Sequence, residues 1–198
     1  MGYALETEAA ALKIEGTVSR EEYLKFERNS EEKHELIFGE IIAMTGASRK
    51  HNLILGNLFS ILHRALKGRH CRVYMNDLRV RIKSMDLYTY PDIVITCGEE
   101  DFEDSHKDTL QNPKCIIEIL SDSTEKYDRG EKFNHYRKIE SLEEYILVSQ
   151  DLHAVECFIK KNENSWLFSA QEGLDRFLEI RTCDMKISLQ DIYDASDD

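Results

Sequence analysis

Proline is nearly absent from this sequence: of 198 residues, only Pro91 and Pro113 break the supply of backbone N–H donors. Long apolar runs are missing too. None approaches the ~18 residues of a membrane span, and the N-terminal "MGYALETEAAALKIEG" carries acids where a secretory leader would carry cations. The expectation is a soluble, cytoplasmic chain with no membrane partner. There is no CxxC pair. The five cysteines (Cys71, Cys97, Cys115, Cys157, Cys183) lie far apart and mostly in strand-like runs. They read as small buried hydrophobes in a reducing compartment rather than as a zinc site or a disulfide frame. A positive balance is lacking as well, with a net charge of −12.

The distribution of charge qualifies that last absence. From Arg49 to Lys83 there are nine cations and one acid, a local +8 on an otherwise acidic chain. Within this block Leu78, Val80 and Ile82 alternate with Arg79, Arg81 and Lys83, so a strand there sets three cations on one face. Such a face suits tracking of nucleic-acid phosphates. The plainer alternative is a solvated strand face.

At 198 residues and 41% hydrophobic, the chain fits one well-buried domain. We expect a tail over 1–17, a single α/β domain over 18–193 and an acidic tail over 194–198. "SREEYLKF" opens a helix with Ser19 as N-cap and Glu22 completing a capping box. "HELIFGEIIAM" gives two β segments hinged at Gly39, and "HNLILGNLFSILHRALKG" an amphipathic helix closed by Gly68. Strands are expected near 71–75, 78–83, 90–96 and 114–120, then a helix from about Thr124 to Ile139. "EEYILVS", "AVECFIK" and "SWLFSA" read as further strands, and "SLQDIYD" as a closing helical turn. The acidic stretch "CGEEDFEDSHKD" reads as a solvated loop without chemistry.

Each proline opens an apolar strand that carries a carboxylate: Asp92 in "YPDIVIT" and Glu118 in "NPKCIIEIL". Proline tolerates the first position of a strand because no N–H is required of it there. Both runs are continuously apolar, which implies burial on both faces of a mixed sheet. Glu118 is then withdrawn from water, where an isolated carboxylate costs several kcal/mol, roughly, and must be protonated, paired with a cation or bound to a metal. A structural Glu–Lys or Glu–Arg pair would suffice. Asp92, at the mouth of the neighbouring strand, adds a second acid. Two carboxylates on the same side of one sheet position favour a hard cation between them, Mg²⁺ or Mn²⁺.

The order "HELIFGEIIAM", "HNLILGNL", "YPDIVIT", "PKCIIEILSDST", "DRGEKFNHYRKI", "EEYILVS" resembles the Uma-two family of bacterial endonucleases, within the PD-(D/E)XK restriction-endonuclease-like superfamily. The resemblance spans roughly residues 18–193. It implies a restriction-endonuclease-like fold, a mixed central sheet flanked by helices with additional β-hairpins, and a metal-dependent nuclease. The chain departs from the superfamily pattern at Leu120, where a lysine is expected. In the family a lysine on the following helix takes over, here Lys132, on a stripe with Asp128 and Tyr136 at i, i+4, i+8. An ordinary exposed helix lysine is the plainer alternative.

By that resemblance, Asp92, Glu118 and the backbone carbonyl of Ile119 hold Mg²⁺ (or Mn²⁺), and Lys132 orients water and stabilises the transition state. Glu40 matches an N-terminal acid near such sites, though a solvent-facing hairpin acid is equally consistent with its position. His51 either touches a phosphate or merely opens its helix. The implied activity is endonucleolytic hydrolysis of DNA, with a homodimer as the simplest way to cut both strands. Two other functions share these residues: a silent nucleic-acid-binding or interaction module of the same fold, and a metal-dependent hydrolase of a smaller phosphate ester.

Overall fold

A computed structural model describes residues 17–121 and 125–196. The N-terminal residues 1–16, most of the expected tail, lie outside the described residues, as does Thr124. Local chemistry starts the fold as expected. Ser19 caps α1 (Arg20–Glu27) in a reciprocal capping box with Glu22. Strands β1 (His34–Ile37) and β2 (Glu40–Ala43) form a hairpin. Phe38 and Gly39 both take positive φ in its turn, at 51° and 83°. A side chain at Gly39 would also meet Thr17 Cγ2 at 2.1 Å, so glycine is required there twice over. Helix α2 (Arg49–Leu66), capped by Ser48, buries Ile54, Leu55, Leu58 and Leu62 along one face.

The next strands are β3 (Cys71–Met75), β4 (Arg79–Ile82), β5 (Leu87–Thr89), β6 (Ile93–Cys97), β7 (Thr109–Leu110) and β8 (Cys115–Leu120). A helical segment follows: α3 (Glu125–Tyr127), a π-helical turn over Asp128–Lys132, and α4 (Phe133–Tyr136). Strands β9 (Glu144–Ser149), β10 (Ala154–Asn162) and β11 (Ser165–Glu172), the hairpin β12 (Phe177–Ile180) with β13 (Met185–Ser188), and α5 (Leu189–Ile192) complete the chain. Sequence patterning missed β5 and the β12–β13 hairpin, elements of three or four residues too short to show a period. The expected acidic tail begins packed: the Asn57 side chain donates to the Asp194 carbonyl at 2.9 Å, and Ser196 is buried.

Six strands form a mixed sheet in the order β11-β10-β9-β8-β6-β3, with β8 and β9 parallel and the other pairs antiparallel. The two proline-led strands lie side by side near its middle. On one face Ile93, Ile95, Ile117 and Ile119 pack with α2, the β12–β13 hairpin and α5. On the other, Val94, Ile116 and Leu120 pack with Tyr136 and with Val80, Ile82 and Leu87 of the second sheet, ordered β2-β1-β5-β4-β7. Burial on both faces explains their unbroken apolar runs.

The cysteine expectation needs correction. Cys71 and Cys97 are joined by a disulfide across β3 and β6, although 26 residues separate them. Their spacing hid the pairing because register, not sequence distance, brings them together. Gly98 N–H donates to the His70 carbonyl at 3.0 Å. Cys71 and Cys97 therefore occupy the adjoining non-hydrogen-bonded position, where side chains approach most closely. Cys115, Cys157 and Cys183 are free and buried, as expected of small hydrophobes.

Candidate metal and phosphate site

The register Ile93↔Ile117 sets Asp92 opposite Glu118, just before β6 begins. Hydrogen bonds bind the two acids into one constellation. Ile119 N–H donates to Asp92 Oδ2 at 2.8 Å, and Asp92 N–H reaches Glu118 Oε2 at 3.3 Å. In an extended strand a residue's N–H and C=O leave the same edge. The Ile119 carbonyl thus faces the gap beyond the start of β6, on Asp92's side.

The lysine absent from position 120 arrives from the helical segment. Lys132 Nζ lies 2.9 Å from Glu118 Oε1 and 3.3 Å from Asp128 Oδ1, and its side chain is only 12% exposed. It is not an ordinary solvated lysine. The π-helical turn keeps Asp128 and Lys132 on the side that meets β8; such turns recur at functional sites. Tyr136 continues the stripe, its hydroxyl donating to Glu118 Oε1 at 2.9 Å. Arg129, off the stripe, pairs instead with Glu125 and Glu156.

The electrostatics follow from this crowding. Burial pushes the Glu118 carboxyl up to about 8; Lys132 opposes that shift, while Asp92 and Asp128 add to it. Burial works against the Lys132 ammonium, but Glu118, Tyr136 and Asp128 hold its pKa well above the usual lysine value. Several acids thus converge on one buried cation. That set of converging carboxyl oxygens, with a backbone carbonyl on the same edge, fits a hard divalent cation, which would be held by Asp92, Glu118 and the Ile119 carbonyl.

His51 also belongs to this cluster. The first turn of α2 aims its Nε2 at Asp92 Oδ2, 3.1 Å away, while its buried Nδ1 makes no hydrogen bond. Both contacts to Asp92 therefore fall on one oxygen, and His51 fixes the carboxylate's orientation.

Glu40 is exposed at the start of β2, on the solvent side of the hairpin. An acid that shares the cluster's field is Glu35 of β1, which the sequence reading did not single out. Its Oε1 accepts from Tyr90 N–H at 3.1 Å. Burial raises its pKa against the pull of Lys132, and Asp128 and Asp92 raise it further. Its signal was the contact between β1 and β5, Leu36↔Tyr88, which no local pattern reveals.

The open cationic face expected over Arg79, Arg81 and Lys83 is also corrected. Arg79 is buried, 2.6 Å from Asp108 and hydrogen-bonded to Thr109 and Tyr90. Arg81 pairs with Glu103 and Asp86, each at 2.8 Å, and exposed Lys83 with Asp101 at 3.0 Å. The parallel pairing of β4 with β7 draws the acidic loop over these cations. The loop expected to be a set of solvated turns supplies their counterions.

Comparison with known proteins agrees with this architecture. The chain is 35% identical over 176 residues to "Uncharacterized protein slr1290" of Synechocystis sp. (strain ATCC 27184 / PCC 6803 / Kazusa), covering 89% of this chain and 91% of that protein. To "Uncharacterized protein sll1609" of the same strain it is 35% identical over 158 residues, 80% of this chain and 89% of the relative. A crystal structure described as "a putative nuclease belonging to DUF820" from Anabaena variabilis ATCC 29413 shares the fold at a TM-score of 0.72 and 21% identity, covering 87% of this chain and 96% of that one. The model of the Uma2 family, described as "Putative restriction endonuclease", matches residues 20–188, and the chain belongs to that family.

Proposed function

We propose that this chain is a divalent-metal-dependent endonuclease hydrolysing phosphodiester bonds in DNA. The observation that carries the proposal is the ammonium of Lys132 against Glu118, beside Asp92, in place of the lysine missing at position 120. When bound, Mg²⁺ or Mn²⁺ supplies Lewis-acid polarisation of a phosphate oxygen and hydroxide at neutral pH.

The chain's own residues do the rest. Asp92, steadied by the Ile119 N–H and His51, and Glu118, steadied by Tyr136, present preoriented oxygens to the cation. In this reading Lys132 orients the attacking water and stabilises the charge growing on the phosphoryl oxygens. Water's oxygen bonds to phosphorus and gives up one proton to solvent, one P–O ester bond breaks, and the leaving oxygen departs as a hydroxyl with a proton from solvent. Glu35 adds a further carboxyl to the electrostatic surroundings of Lys132, Asp128 and Asp92. Of the three β4-side cations, Lys83 is exposed enough to meet a phosphate, whereas Arg79 and Arg81 are committed to the acidic loop.

Two copies of the centre would cut both strands of a duplex. The edge strand β11, with Leu167 and Phe168 exposed, offers a surface for such a homodimer.

Incubation with supercoiled plasmid, single-stranded DNA, RNA and a small phosphodiester, each with Mg²⁺, Mn²⁺ or chelator, tests the proposal. Metal-dependent plasmid nicking supports it. Turnover of the small ester alone, or DNA binding without cleavage, would replace it with a phosphoesterase or a silent binding module.

A further inference from the structure

At the far end of β6 from Asp92 lies a second group of ligating side chains, unlike the first in chemistry. Cys97 is the last residue of β6 and Asp92 immediately precedes its first, so at roughly 3.3 Å per residue the two lie about 16 Å apart. Cys97 pairs with Cys71 across the sheet, and the bend before β3 turns the exposed His70 back so that its Nε2 lies 3.4 Å from Cys71 Sγ. The three ligating atoms all lie within 4.8 Å of one another. No other such trio of His, Cys, Asp or Glu ligands occurs among the described residues. Cys115, Cys157 and Cys183 are buried and outside it.

Two sulfurs and an imidazole are a soft donor set, suited to a thiophilic cation rather than to the oxygen-seeking Mg²⁺. We propose that the dithiol form of Cys71 and Cys97, with His70 Nε2, is a zinc site, and that the disulfide is the oxidised, metal-free form of the same site. The two states exclude each other because a sulfur engaged in the S–S bond has no thiolate to offer. Two small-molecule thiols (RSH) convert one into the other, yielding the protein dithiol and one RSSR. Zinc then displaces the two thiol protons and takes two sulfurs and one nitrogen. Water completes a tetrahedron on the side where His70 is exposed.

The sheet supplies the preorganisation. The Gly98–His70 backbone hydrogen bond closes the ladder next to the cysteine pair, so both thiols are held side by side before any metal arrives. The site makes no use of the Asp92–Glu118 centre and stands whether or not that centre cleaves DNA.

Cobalt(II) tests the inference, because thiolate ligation gives a near-ultraviolet charge-transfer band that carboxylate ligation lacks. The full-length chain, reduced with a phosphine and freed of metal, is titrated with Co²⁺ and then with Zn²⁺. One equivalent of cobalt should raise the band and one of zinc abolish it. Cys71→Ser and Cys97→Ser should lose the band, and the disulfide form should never show it. Asp92→Asn should keep it unchanged. His70→Ala, an exposed substitution that leaves the core intact, should weaken binding at least about tenfold, as loss of even an outer partner does. Circular dichroism checks that each variant is folded. A reduced wild type without the band, a band retained in folded Cys97→Ser, or unaltered affinity in His70→Ala would overturn the assignment.

Discussion

Replacing Lys132 with methionine removes a charge while keeping most of the buried stem. At 2.9 Å from Glu118 Oε1, the ammonium contributes a gross Coulomb attraction of about 6 kcal/mol at an effective dielectric of about 20. Little of that appears as lost stability, because Glu118 relieves the imbalance by holding its proton more firmly; with Tyr136 still donating to it, the net cost to folding should be about 1–3 kcal/mol. Catalysis has no such relief. A transition-state electrostatic group lost from a preorganised site costs about 100- to 1000-fold in rate. Lys132→Met should therefore fold, bind Mn²⁺ at least as well as wild type in calorimetry, and nick plasmid about 100-fold more slowly or worse under single-turnover conditions. Lys132→Ala should behave alike, with a further packing loss. Wild-type nicking by either variant would refute the assignment of the charge to Lys132. Loss of metal affinity without loss of fold would show that the lysine organises the ligands instead.

Tyr136→Phe removes a hydrogen bond to Glu118 Oε1 in a fully buried setting, and denaturant titration should show a loss of about 1–2 kcal/mol. The Asp108 carboxyl supplies a pH test. Burial alone would raise its pKa, but the guanidinium groups of Arg28 and Arg79 outweigh it and hold the carboxyl far below the usual carboxylate range. Its contribution to stability is present above the unfolded pKa of about 3.9 and lost as pH falls towards the folded value. The gap in melting temperature between wild type and Asp108→Asn should be full at pH 6 and should narrow progressively below about pH 4. A gap that stays constant would mean that Asp108 acts by packing rather than by charge.

What the sequence disclosed followed from how local each signal is. The capping box at Ser19 and the apolar stripe of α2 are written within one or two turns, and both are where they were expected. The two proline-led strands were visible because burial on both faces leaves an uninterrupted apolar run, and a lone Glu118 inside such a run signals a compensated charge. Lys132 was singled out through the family resemblance, and the helical spacing of Asp128 and Tyr136 only made its place on that side consistent. What escaped depends on register or on loops crossing over strands. Glu35 joins the site only through the meeting of β1 and β5. Cys71 finds Cys97 only through the alignment of β3 with β6. Alternation correctly placed Arg79 and Arg81 along one strand, with Lys83 in the turn that follows it, yet it carries no information about what packs over that strand. The loop that neutralises them is held there by the short parallel pair β4 and β7.

Whether Asp92 and Glu118 hold a divalent ion that drives phosphodiester cleavage is decided by Mn²⁺-dependent nicking of supercoiled plasmid, with wild type and Asp92→Asn purified side by side. The amide keeps the size of the native side chain while giving up the charge that Ile119 N–H and His51 now orient. Nicking by wild type should rise with Mn²⁺ and stop with chelator, and its rate should be at least about 100-fold lower in Asp92→Asn. Equal nicking by both proteins, or no cleavage by wild type with any divalent ion, would rule that role out.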